Sequence, residues 1–459
     1  MRRAAATVAR VSGRAGLSEH WLNMTATDLG RGIDAGDINP LTLTETFLTA
    51  IKRHPLASRI YARTTADRAL AEAAAAAGRA ASGRRLSPLD GVPISWKDLF
   101  DTAGVATEAG SALLQGRVPG RDAQVLQNAT AAGLVCLGKT HMSELAFSGL
   151  GYNPVTRTPP SINDGDAVAG GSSSGAATSV AFGLAAAAVG SDTGGSVRIP
   201  AAWNDLVGLK TTSGRLSLEG VVPLCESFDT VGPLCRTVGD AALMLGALEG
   251  RRAPDLAGVT LRGVRLMVLE NVALADMRDQ PLAAFNSAIE RLQAAGTLVE
   301  RREVPCVDDA MALTGVLFTT EAYAQWKHLI EAAPEKMFVK ILERFRAGAQ
   351  YSGVDFIQAW QALKRHRATW AAAVAGFDAV LIPASAIMPP NLKRLAGDPE
   401  YYVSENLLAL RNSRIANLLG LSALSLPTGL ASCGIMLMTP PDSEARLLRI
   451  AAAAEAALA

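Results

Sequence analysis

Residues 170–198 open with Gly170-Gly171-Ser172-Ser173-Ser174-Gly175, continue through small apolar residues to Val189, and close with Gly190-Ser191-Asp192-Thr193-Gly194-Gly195-Ser196-Val197-Arg198. Two loops of glycine and serine are thus joined by a small-residue helix, expected over Ser173–Gly183, and a strand, expected over Ala186–Val189. Glycine lets backbone approach closely and adopt unusual angles, and serine supplies hydroxyls. Folded together, the loops would bring two serines and a row of backbone N–H groups into one pocket.

The same alternation runs outward in both directions. On the N-terminal side, helices are expected over 42–54 (capped by Thr42), 65–81 and 122–132, with apolar strands at 91–96 and 133–138. On the C-terminal side, strand 263–269, helix 281–294 and strand 296–304 form a β-α-β run. Further strands are expected at 378–382 and 421–426, and helices over 307–330, 336–346, 353–374, 404–419 and 442–458. Strands alternating with helices imply an α/β fold. No convincing linker and no repeat interrupts the 459 residues, so a single compact domain is expected. Residues 1–24 read as an N-terminal extension. Their arginine-rich start, with no acid before Glu19, fits a frayed tail or an upstream start before Met24. The domain proper is then 25–459.

Composition narrows the function. Hydrophobic residues make up 49% and charged residues 19%, which suits a large buried core rather than disorder. A net charge of +1 provides no global field for nucleic acid or an anionic membrane. No window of 18 apolar residues exists, so no membrane span is expected. The five cysteines (136, 225, 235, 306, 433) form no C-x-x-C pair and are odd in number. A disulfide framework or structural zinc is therefore not expected, and a cytoplasmic, reducing setting fits. The five histidines lack metal-ligand spacing, so neither a metal nor a cofactor is expected.

Three phosphate- or ester-type motifs fail on these loops. No lysine follows either one as a P-loop demands. Gly149-Leu150-Gly151 meets Pro154 where a dinucleotide fingerprint needs glycine. Gly171-Ser-Ser173-Ser-Gly175 matches the G-x-S-x-G nucleophile elbow, but loop-like residues 158–166 precede it instead of a strand. The only downstream histidines, His328 and His366, lie in amphipathic helices, which argues against a Ser-His-Asp arrangement. Lysine is the next candidate base. The chain has 9 lysines against 35 arginines, and Lys97 ends the apolar run Gly91-Val-Pro-Ile-Ser-Trp-Lys97. Burial there would lower its pKa, while strand alternation points Asp98 away from it. A buried lysine paired with a carboxylate for structure is the alternative, and it suits Lys139 and Lys210 better.

Taken together, Lys97, Gly170–Gly175 and Ser191-Asp-Thr-Gly-Gly-Ser-Val-Arg-Ile-Pro200 resemble the amidase signature family. The spacing agrees, with 75 residues from Lys97 to Ser172 and 24 from Ser172 to Ser196. The likeness extends through Gly208–Arg215, Phe228–Pro233, Asp90–Pro93 and Gly138–Glu144, strongest over about 90–240. It implies a central mixed β-sheet covered by helices on both faces. It also implies hydrolysis of a small-molecule C–N amide to carboxylate plus ammonia or amine. By resemblance, Ser196 is the nucleophile, Ser172 the bridging serine on a cis peptide, and Lys97 the terminal base. The N–H groups of Thr193, Gly194, Gly195 and Ser196 would form the oxyanion hole, and Ala146, Phe147, Ser148 and Ser173 would line the substrate pocket. Core packing is the competing reading of Phe147. Departures are Ser174 in place of a loop glycine and the unusual run Ser161-Ile-Asn-Asp-Gly-Asp-Ala167. The resemblance also admits a second function, that of the glutaminase component of a glutamine-dependent tRNA amidotransferase, which supplies ammonia to a partner. Residues 351–360 lack the tyrosine-rich character expected of that component. No direct nucleic-acid contact is expected, and a homodimer is possible on general grounds.

Overall fold

The computed structural model describes residues 19–459. Among these residues, eleven strands form one mixed sheet: β1 (Tyr61–Thr64), β2 (Pro93–Lys97), β3 (Val135–Thr140), β4 (Ala187–Ser191), β5 (Val207–Lys210), β6 (Val231–Cys235), β7 (Arg265–Leu269), β8 (Leu298–Arg302), β9 (Ala379–Pro383), β10 (Ser422–Pro427) and β11 (Gly434–Thr439). Their order across the sheet is β1-β3-β2-β4-β6-β5-β10-β11-β9-β7-β8. β2 runs parallel to β3 and β4, and β7 runs parallel to β8 and β9; the remaining pairings are antiparallel. The α/β architecture expected from the alternation is therefore a single mixed sheet flanked by helices.

Burial follows the sequence pattern. β2, β3 and β4 are buried along their whole length, as continuous apolar runs in a covered sheet require. β8, by contrast, is an edge strand whose sequence Leu-Val-Glu-Arg-Arg leaves most of its side chains exposed, and charge on an edge discourages pairing with another chain. Helix Pro40–Arg53 buries Leu43, Phe47 and Ile51 on one face. Its cap is Asn39, which accepts from the N–H of Leu41 and Thr42, rather than the expected Thr42. Pro40 at the first helical position leaves Asn39 outside the helix, where its side chain can fold back.

Residues 1–18 lie outside the described residues. The rest of the expected 1–24 extension packs against the folded body. Glu19–Asn23 is a short 3-10 helix, and Trp21, Leu22 and Met24 pack on the core. Arg236 donates to the carbonyls of Leu22 (2.9 Å) and Met24 (3.2 Å). Composition alone marks this stretch as a tail, because only the fold supplies the surface on which Trp21 packs. Among the described residues, no helix is long and apolar enough to cross a membrane.

Candidate active site

Parallel pairing of β2 with β4 sets Trp96 opposite Val189, so the next residues of each strand emerge side by side at the same sheet edge. In open α/β sheets this carboxyl edge is where ligands bind. Lys97 closes β2 and Ser191 closes β4, and Lys97 Nζ donates to Ser191 Oγ at 2.8 Å. The first glycine-serine loop reaches the same edge. Its Gly171–Ser172 peptide is cis, and Lys97 Nζ donates to Ser172 Oγ at 2.6 Å. Helix Ser174–Ala181 starts immediately afterwards.

Lys97 is fully buried. Desolvation pulls its pKa down to about 7, against the opposing pull of the Asp192 and Asp229 carboxylates. As the strand alternation predicts, Asp98 faces away, to Arg63 (2.5 Å) and Lys139 (3.5 Å). Lys139 is thus a carboxylate-paired structural lysine. Lys210 is not paired in that way: it donates to the carbonyls of Thr211 (2.7 Å) and Leu421 (2.8 Å). Burial, with Arg198 nearby, lowers its pKa to about 7.

The second loop is organised by Asp192, which sequence spacing does not single out. Its carboxylate accepts from the N–H of Gly195 (2.8 Å) and Val197 (3.1 Å), from the Arg198 guanidinium (2.8 and 3.0 Å) and from Asn417 Nδ2 (3.0 Å). Burial by itself would raise this carboxyl, but Arg198, Lys210 and Asn417 outweigh it and hold it well below the usual range. Thr193 donates its hydroxyl to the buried Asp229. The expected row of four free donors is therefore reduced: the Gly195 N–H is committed to Asp192. Among the described residues, the N–H groups of Thr193, Gly194 and Ser196 have no protein acceptor. Gly195 has φ +133°, and a Cβ there would stand 2.0 Å from Ser413 Oγ, so glycine is required at this close approach.

Ser196 follows this turn at 3% exposure. Its carbonyl accepts from Ser173 N–H (3.2 Å), which ties the two loops together. No hydrogen bond joins Ser172 Oγ to Ser196 Oγ, so the structure brings Lys97 and Ser172 into contact and places Ser196 on the adjoining loop.

The four expected pocket residues divide. Ser173 is sealed from solvent, with its hydroxyl donated to the Ser191 carbonyl (3.2 Å). As packed it braces the loops and does not face a substrate. Leu145 and Ala146 both adopt positive φ (44° and 59°), a conformation costing roughly 1 kcal/mol or more for residues with a Cβ. This turn directs Phe147 against Phe345, with the Arg344 guanidinium 4.3 Å from the Phe147 ring centre. Ser148 donates to Asn406 Oδ1 and accepts from the Tyr402 hydroxyl, both at 3.1 Å. Tyr402, Asn406 and Arg344 in turn line a cleft of about 430 Å³ that also includes Phe318, Ile341 and Arg414. Arg344, Tyr402 and Arg414 escape a reading of the sequence because nothing local marks them. The unusual 161–167 run is held by residues outside the two glycine-serine loops: Asn163 Nδ2 donates to Asp205 (2.7 Å), and Leu392 N–H to the Asp166 carbonyl (2.8 Å).

A sequence model of the family described as Amidase matches residues 42–448. The chain belongs to the amidase family. As an amidase it is a hydrolase acting on amide bonds. It is 38% identical over 382 residues to 2-amino-5-chloromuconic acid deaminase of Comamonas testosteroni, a match covering 81% of this chain and 82% of the relative. It is 32% identical over 470 residues to the A subunit of glutamyl-tRNA(Gln) amidotransferase from Anaeromyxobacter sp. strain K, covering 93% and 95% of the two chains. The solved structure of native peptide amidase from Stenotrophomonas maltophilia superposes on this amidase with a TM-score of 0.80 at 28% identity, covering 94% of this chain and 96% of the other.

Proposed function

We propose that this amidase cleaves a small-molecule amide through an acyl-enzyme on Ser196. Lys97, about half neutral at pH 7, accepts in its neutral form a proton from Ser172, which accepts one from Ser196 as its oxygen attacks the amide carbon. The C=O π bond gives way to a tetrahedral centre, and its oxyanion takes hydrogen bonds from the free N–H groups of Thr193, Gly194 and Ser196. One such donor is typically worth about 3 kcal/mol. The relay then runs backwards: Lys97 returns the proton through Ser172 to the departing nitrogen, which leaves as ammonia or amine. Water, deprotonated by the same relay, opens the ester and releases carboxylate.

The observation that carries this reading is the 2.6 Å contact between a fully buried lysine and Ser172 Oγ. An amine sealed from solvent, with no carboxylate within ion-pair distance among the described residues, is suited to being a base. The Comamonas relative is named as a deaminase, in keeping with release of ammonia. Five free, buried cysteines support a reducing, cytoplasmic setting. The test is Ser196→Ala: ammonia release from simple amides should vanish while the melting temperature stays close to that of wild type. Undiminished turnover would remove Ser196 from the mechanism.

Glutamine-fed ammonia supply to a partner protein is a second reading, prompted by the amidotransferase relatives. Release of ammonia by the isolated chain from small amides in general supports the first reading; release from glutamine and from no other small amide supports the second.

A further inference from the structure

Arg414 is 7% exposed on helix Pro399–Leu418, yet among the described residues no carboxylate pairs with its guanidinium. Its Nη2 is sealed from solvent with no hydrogen-bond partner. Its side chain runs beside the second glycine loop: a Cβ on Gly194 would lie 3.4 Å from Arg414 Cγ and 3.8 Å from Nε. It lines the 430 Å³ cleft together with Arg344. Arg344 spends one N–H on the Phe147 carbonyl (2.9 Å) and likewise makes no ion pair among the described residues. The other charged groups on this cleft are Lys340 and Glu343, which pair with each other at 2.9 Å. Tyr402 adds a hydroxyl. A buried cation without a counter-ion is costly in any fold, and two together repel. Burial, reinforced by repulsion from Arg344, pulls the Arg414 pKa down to about 9.

We propose that Arg414, with Arg344 beside it, is the subsite for a carboxylate carried by the substrate, so that this enzyme prefers amides bearing a free acid group a short chain away from the scissile carbonyl. The inference rests on amide hydrolysis at Ser196, because the position of Arg414 beside Gly194 is what puts the acid group near that carbonyl. Arginine suits the task, since its planar fork meets a carboxylate with two parallel N–H bonds. The ion supplied by the substrate completes the pairing that the protein lacks, which ties recognition to occupancy of the cleft.

The test compares monoamides of dicarboxylic acids (succinamic and glutaramic acid) with neutral amides of equal length (butyramide and valeramide), by ammonia release. In the wild type, kcat/KM should favour the acids by roughly 10- to 100-fold, the range of one charge-assisted hydrogen bond or two. Arg414→Met should collapse that ratio toward one, chiefly through the KM of the acids, and Arg414→Lys should retain part of it. Wild type without a preference for the acids, or an Arg414→Met enzyme with the ratio intact, overturns the proposal. Neutral amides hydrolysed without acid preference would sink the subsite alone, whereas no hydrolysis of either series would sink the Ser196 reading. A measurement free of turnover covers that case and any misfolding of Arg414→Met. Glutarate should raise the melting temperature of the Ser196→Ala protein and leave that of the Ser196→Ala/Arg344→Met double variant unmoved; no rise in the former overturns the subsite.

Discussion

On the proposed relay, a lysine buried at the end of β2 with a pKa of about 7 should make the rate depend on pH in a defined way. Only neutral Lys97 can accept the Ser172 proton. At pH 6 roughly one tenth of it is neutral and at pH 8 roughly nine tenths, so kcat/KM should climb roughly tenfold between them and then level off. The assay is ammonia release from one uncharged amide at low substrate, from pH 5.5 to 9. Lys210 titrates in the same range, so the assignment rests on Lys97→Met. That variant should lose about 10²- to 10⁴-fold at pH 8, and its residual rate should lack the step near pH 7. A flat wild-type profile, or a step that survives in Lys97→Met, would refute the reasoning. Stability gives a second readout of the same residue. An ordinary lysine titrates at 10.5, so the depression amounts to about 5 kcal/mol. Between about pH 7 and pH 10.5 the unfolded chain holds a proton that the folded chain has released, so stability rises with pH across that window. Methionine removes this term along with the bonds to Ser172 and Ser191. Lys97→Met should therefore melt above wild type at pH 7, and the gap should shrink as the pH approaches 10.5.

Two further substitutions probe the second loop. Asp192→Ala strands Arg198, which is fully buried, and removes the acceptor for three backbone N–H groups. It should lose about 3–5 kcal/mol in urea unfolding, and a loss under about 1 kcal/mol would contradict the organising role of Asp192. Gly195→Ala should abolish activity or folding, because its Cβ has no room beside Ser413. Gly165→Ala, where a Cβ meets nothing within 4 Å, should shift stability by less than about 0.5 kcal/mol.

Legibility in the sequence tracks how local each feature is. Helices with a clear apolar face appear where expected: 65–81 is Ala66–Ala81 and 353–374 is Gly353–Val374. β2, β3 and β4 are readable as apolar runs, displaced by about two residues. β5 and β6 are not, because Val207–Lys210 and Val231–Cys235 are interrupted by glycine, proline or lysine and become strands through sheet pairing; β11 escapes too, although Ile435–Met438 is a continuous apolar run. Periodicity makes 307–330 one helix, whereas in the structure Cys306–Ala312 and Thr320–Ala332 are separated by a wider turn at Gly315–Thr319. At the site, residue chemistry singles out Lys97 as a candidate base, while it is the resemblance to the amidase signature family that picks Ser172 and Ser196 from among the serines of the two loops. The contacts of Asp192 and Ser191 stay hidden, although both lie within Ser191–Pro200. A carboxylate that organises a turn shows itself only through the N–H groups that point at it.

The order of residues along this chain is enough to determine an alternating α/β fold, a serine- and glycine-rich pair of loops and a lysine ending an apolar strand, because periodicity and residue chemistry are written locally. Tertiary structure alone decides that Lys97 meets Ser191 as well as Ser172, that the Gly195 N–H is held by Asp192, and that Arg344 and Arg414 share one cleft in which, among the described residues, neither makes an ion pair. Those contacts join residues distant in the chain. They arise from strand order and packing, which no short stretch of sequence encodes.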